Sequence, residues 1–139
     1  MQFSTATLAA ILSASTIFAA PVAIPAWTIT KFTRVCDKGD TTCTWSFGIN
    51  PNTGAAVTPV KYVIKGSPAS QTDLKTPTAF GAYTVSAGWS GQFGPGNGFT
   101  TLAVANNAIH QIAWPAYTDA ELASGKAVTP DRSFPVTQM

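Results

Sequence analysis

Beyond residue 20, no stretch longer than about ten residues keeps a helical spacing of apolar side chains without meeting a glycine or a proline. That confines the chain to β-structure. Residue choice agrees: positions 21–139 hold 17 Thr, 9 Val and 6 Ile but only 3 Leu. β-Branched side chains suit a pleated surface and lose rotamer freedom in a helix. The clearest strand is Cys43–Asn50, where Cys43, Trp45, Phe47 and Ile49 alternate with Thr44, Ser46 and Gly48. A strand over Trp27–Val35 would turn Trp27, Ile29 and Val35 inward, with Lys31 interrupting that face and Phe32 on the opposite one. Val60–Lys65 groups Val60, Tyr62 and Ile64, and Phe80–Trp89 groups Tyr83, Val85, Ala87 and Trp89. Phe99–Ala105 and Ala108–Trp114 flank Asn106-Asn107, a pair that tolerates left-handed dihedrals and predicts a two-residue hairpin turn. Gly66–Thr78 is polar, carries two prolines and reads as a long surface loop.

Seven or so short strands predict an all-β fold, a small antiparallel β-barrel or β-sandwich. One short helix is expected near the C-terminus. Thr118 and Glu121 have capping-box spacing, Asp119 and Glu121 suit the positive end of the helix dipole, and Gly125 is placed to end the helix. Pro130 and Pro135 keep the tail extended and off any central strand.

The first twenty residues stand apart. Leu8–Ala20 is uncharged, shorter than the ~20 residues of a bilayer-spanning helix, and ends in the small residues Ala19 and Ala20, the pattern of a secretory signal. Cleavage is expected after Ala19 or Ala20, leaving one β-rich domain over 21–139 and an extracellular location. In an exported chain the two cysteines, Cys36 and Cys43, most economically pair with each other across the turn-forming segment Asp37–Thr42. Closing so short a loop is worth about 2.5 kcal/mol of chain entropy. Zinc would need four ligands, and one His cannot complete the set with two Cys.

Charged residues make up 10% of the chain against roughly 25% in ordinary soluble proteins, and the net charge is +2. Eight dispersed cations build no dense phosphate-neutralising patch, so a nucleic-acid partner is not expected. Catalytic equipment is sparse. Asp119 and Glu121 are explained by helix capping, His110 sits alone in a predicted strand, and Gly88-Trp89-Ser90-Gly91 is not a nucleophile elbow. No enzyme activity, cofactor or metal is expected. The unusual segment is Gly88–Phe99, with five glycines, a proline and three aromatics in twelve residues. No Gly-Lys-Ser/Thr follows, so it is no phosphate loop. Two readings are open: Trp89, Phe93 and Phe99 fold back to close the core, or they join Asn97 as a partner-binding loop that docks on a protein or stacks on a sugar.

Four segments carry a family resemblance: Thr42–Ile49 with Cys36, Gly88–Gly94, Gly98–Val104 and Trp114–Asp119. Together they resemble the small secreted hypersensitive-response-inducing protein elicitors of filamentous fungi, most closely the form found in the rice blast fungus. The resemblance spans nearly the whole of 21–139. It implies a compact β-barrel or β-sandwich, secretion, recognition by plant cells that triggers defence and cell death, no enzyme activity and no cofactor. The implied partner is a plant cell-surface or apoplastic component. A polysaccharide bound by a cell-wall module, stacked on Trp89 and Phe93, is the alternative. A monomer is expected, and no functional residues carry over from the family.

Overall fold

The computed structural model describes residues 23–139, and the secretory leader expected over 1–20 lies outside them. Ten strands follow one another: β1 (Trp27–Cys36), β2 (Thr42–Asn50), β3 (Thr58–Lys65), β4 (Leu74–Phe80), β5 (Tyr83–Ser90), β6 (Phe99–Asn106), β7 (Gln111–Ala113), β8 (Ala116–Thr118), β9 (Arg132–Phe134) and β10 (Val136–Gln138). One helical turn, α1 (Asp119–Leu122), lies between β8 and β9. All pairings are antiparallel. They form a four-stranded sheet, β3-β2-β1-β9, and a six-stranded sheet, β10-β7-β6-β5-β4 with β8 beside β6. The sheets are open paths that do not close on each other, so of the two expected architectures the protein takes the sandwich.

Alternation supplies the core. In β2, Cys43, Trp45, Phe47 and Ile49 are buried, and β3 adds Val60, Tyr62 and Ile64. From the facing sheet come Tyr83, Val85, Leu102, Val104, Ala113 and Tyr117. Aromatic pairs join the layers: Phe32 stacks on Tyr117 with ring centres 3.9 Å apart, Trp27 meets Tyr83 edge-on at 5.2 Å, and Tyr62 meets Phe80 at 6.3 Å. Such pairs add to the area they bury. The tail stitches both sheets, with β9 pairing β1, Pro135 intervening and β10 pairing β7. Both tail strands lie at sheet edges, where proline is tolerated. Cys36 and Cys43 face each other across β1 and β2 and form the disulfide.

The alternation read for β1 is overturned halfway along. Lys31 has a φ of 50°, and three steps along β1, Thr30 to Thr33, span what two steps of β2, Gly48 to Ser46, cover. One inserted residue exchanges the two faces of everything beyond it. Trp27 and Ile29 point inward before the bulge; Phe32 and Arg34 do so after it, and Val35 is 53% exposed. The Lys31 N–H, freed from the ladder, donates to Asp131 Oδ1 at 2.9 Å.

Two further expectations are corrected. The segment read as a loop over 66–78 includes a short 3-10 turn, Ala69–Gln71, and the start of β4 at Leu74. β4 is an edge strand, so Pro77 costs no ladder bond. The hairpin between β6 and β7 turns through four residues, with Asn106 still paired to Gln111. Its left-handed residue is His110, φ 53°, rather than an asparagine, so His110 is exposed in a turn and not in a strand.

Candidate functional site

The glycine-rich segment links β5 to β6, neighbouring strands of the six-stranded sheet. Its path is set by two consecutive turns, in which Gly94 N donates to Gly91 O at 3.0 Å and Asn97 N donates to Gly94 O at 3.1 Å. Gly94 and Gly96 have φ of 93° and 82°, where side chains are strained. Gly91 and Gly98 are glycine for a different reason. A Cβ there would lie 2.5 Å and 2.7 Å from Trp89 ring carbons. Trp89 therefore lies flat against its own loop.

One carboxylate ties that loop to the opposite sheet. Asp119 Oδ2 accepts from Trp89 Nε1 at 2.8 Å, and Oδ1 accepts from Arg34 Nη1 at 2.7 Å. The Asp119 N–H donates to Gly98 O at 2.9 Å. Arg34 comes from β1 and is buried because of the Lys31 bulge; its Cζ sits 5.7 Å from the centre of the Trp45 ring. Thr118 caps α1 as expected, accepting from Glu121 N, while Glu121 Oε1 accepts from Thr118 N at 2.9 Å. Capping thus holds Asp119 in place to join Arg34 and Trp89.

On the other side of the loop Phe93 and Phe99 stack with centres 5.7 Å apart. Phe93 is 66% exposed and Phe99 half-buried. Asn97 is exposed and closes the loop by donating from Nδ2 to Phe93 O at 3.2 Å. These three residues line a groove of about 620 Å³, within the range of roughly 300–1,000 Å³ typical of ligand sites. The opposite wall was not foreseen from the sequence. It includes Tyr117, Glu121 and Arg132. Arg132 lies 5.1 Å from the Tyr117 ring centre and forms an ion pair with Glu121. Burial pushes the Tyr117 phenol up, with the Arg132 cation acting in the opposite sense. The groove offers an exposed ring, a half-buried ring and a guanidinium already balanced by a carboxylate. Such a surface offers groups for stacking and hydrogen bonding. Trp89 is not part of it, and its ring borders a separate cleft with Gly91 and Gly98.

Two further carboxylates, Asp37 and Asp40, have structural employment. Asp37 accepts from Thr41 N and Oγ1 and from Thr42 N, and these bonds hold its carboxyl below the ordinary range. Asp40 accepts from Ser70 N at 2.8 Å and anchors the 3-10 turn. The cluster of Cys36, Asp40 and Cys43 resembles a ligand set by proximity, but its sulfurs are consumed in the disulfide.

The model of a family described as Effector TSP1 matches residues 28–139, from the second residue of β1 to the end of the chain. A curated relative, Effector TSP1 of Hypocrea virens, is 43% identical over 142 residues, covering 96% of this chain and 96% of its own. With a match of that extent from both directions, the chain belongs to the Effector TSP1 family, whose named relative here is a fungal effector.

Proposed function

We propose that this chain is a secreted fungal effector that acts without catalysis, as an elicitor. It is recognised by a plant cell-surface or apoplastic component, and the outcome is a defence response with hypersensitive cell death. The observation that carries the reading is the Phe93–Phe99 pair, held outward on a loop that Trp89, Asp119 and Arg34 make rigid. Burying an exposed phenylalanine contributes about 2 kcal/mol, and a pre-ordered loop loses little entropy on binding. Family membership supports the effector part of the reading, and the elicitor part rests on the resemblance and the loop together.

The test is infiltration of purified, disulfide-intact protein 21–139 into leaves beside Phe93→Ala and Phe99→Ala variants. The parent should cause a local defence response, and Phe93→Ala should need roughly ten to thirty times the dose, as expected for about 2 kcal/mol. Folded parent protein that leaves the tissue indifferent at micromolar dose would overturn the proposal. Equal potency of Phe93→Ala would move recognition away from this groove.

A further inference from the structure

The six-stranded sheet turns its second face to solvent, and the ladder register arranges that face in rows. Ala103 faces Ser86 across β6 and β5, and Thr101 faces Gly88. Trp114 falls between Ala113, opposite Val104, and Ala116, opposite Thr101, so it stands beside Ala103 on the outer side. Trp27 and Trp45 are buried and Trp89 is half-buried, whereas Trp114 is 54% exposed. Trp114, Ser86, Gly88, Thr101 and, from the β4 side, Asp73 and Lys75 line a trough of about 350 Å³. It shares no lining residue with the Phe93 groove.

Gly88 is the second observation. A glycine inside a strand weakens it, and where the fold does not require one it often marks close approach by something else. Gly48, Gly91 and Gly98 are required, because a Cβ at each would run into a neighbouring side chain. Gly88 has no left-handed φ, and a Cβ there would meet only Asp73 Oδ1, at 4.0 Å. Nothing in the packing calls for glycine at this position. Its consequence is a low floor, together with Ala103, between the Trp114 indole and the β4 edge.

We propose that this trough binds a neutral oligosaccharide. A pyranose ring is apolar on its C–H face and ringed by hydroxyls. The Trp114 indole offers a plate for the first. Ser86, Thr101, Lys75 and Asp73 line the same trough and carry hydroxyl, ammonium and carboxylate groups for the second. Asp73 is oriented by accepting from Trp89 N through Oδ1 at 2.8 Å, which leaves Oδ2 directed elsewhere. Neither Asp73 nor Lys75 takes part in an ion pair among the described residues. An aliphatic ligand would strip water from these groups without replacing its hydrogen bonds. One acid and one base on the rim balance, which favours a neutral sugar over a polyanion.

The experiment titrates the disulfide-intact protein with cellohexaose, laminarihexaose and chitohexaose, with an oligogalacturonide as the anionic comparison, reading tryptophan emission and calorimetric heat. At least one neutral hexasaccharide should saturate the signal. Trp114→Ala should weaken it about tenfold or more. Gly88→Val, which raises the trough floor at a position with room for a side chain, should do the same with an unchanged or higher melting temperature. Phe93→Ala should bind as the parent does, which separates this site from the elicitor groove. Silence with all three neutral sugars at millimolar concentration would overturn the proposal, and so would full binding by Trp114→Ala. Equal or tighter binding of the oligogalacturonide would overturn its neutral specificity.

Discussion

Replacing Asp119 by alanine tests how the loop is fastened to the sandwich. The carboxylate faces Arg34 Nη1 at 2.7 Å and Trp89 Nε1 at 2.8 Å. Arg34 is 8% exposed, and its Nε has no partner among the described residues. Asp119 is therefore the anion that compensates a nearly buried guanidinium. Removing one member of a buried pair costs about 3–5 kcal/mol, because the other charge is left desolvated and alone. Asp119 is itself 27% exposed, so water partly replaces it and the lower end, about 3 kcal/mol, is expected. At about 4 °C per kcal/mol for a domain of this size, the thermal midpoint should fall by about 12 °C. Circular dichroism and urea unfolding measure it, and Trp89 emission reports the lost indole bond. The double variant Arg34→Met with Asp119→Leu should recover most of the loss, since the penalty belongs to the unpaired ion and not to the missing pair. An Asp119→Ala midpoint within about 2 °C of the parent would refute the argument that this carboxylate compensates Arg34.

Cys36→Ala should cost about 2.5 kcal/mol, the chain entropy of the small loop closed by Cys36–Cys43, and the parent should show no alkylatable thiol without denaturant. Deleting Lys31 removes the bulge and turns Phe32 and Arg34 outward, so that variant should show no cooperative thermal transition; Lys31→Gly keeps the left-handed φ and should shift stability by less than about 1 kcal/mol. Burial raises the Tyr62, Tyr83 and Tyr117 phenols above their ordinary 10.0, so their contribution is fully present below pH 10 and falls as the pH rises beyond it, when the unfolded chain sheds protons first. Phenolate absorbance should then appear together with alkaline unfolding, and native-state ionisation of all three near pH 10 would contradict their burial.

Much of the sandwich is legible in the sequence. β2 and β3 needed only the alternation of Cys43, Trp45, Phe47 and Ile49 and of Val60, Tyr62 and Ile64, and the capping box at Thr118 needed only spacing. The faces of β1 beyond Lys31 are not legible in the sequence, because a bulge leaves the local composition unchanged while exchanging the faces of Phe32, Arg34 and Val35. Most of β4 reads as loop in the sequence because an edge strand with Pro77 makes few demands on its residues. Of the candidate groove, Phe93, Asn97 and Phe99 could be singled out by their glycine-rich context. Tyr117, Glu121 and Arg132 could not, since no local signal joins a tail arginine to a ring fifteen positions earlier.

By itself the sequence determined what local chemistry can determine. Its β-branched residues chose strands, its glycines and Asx residues placed most turns, and its two cysteines, in an exported chain, pair most economically with each other. The tertiary structure decided everything that depends on two segments meeting. It chose two open sheets over a closed barrel. Through the bulge at Lys31 it brought Arg34 inward to Asp119, and so fixed the orientation of Trp89. It also set Trp114 and an unfilled Gly88 along one open trough. Faces and partners are set by register, and register is a property of the pairing of strands rather than of any one strand.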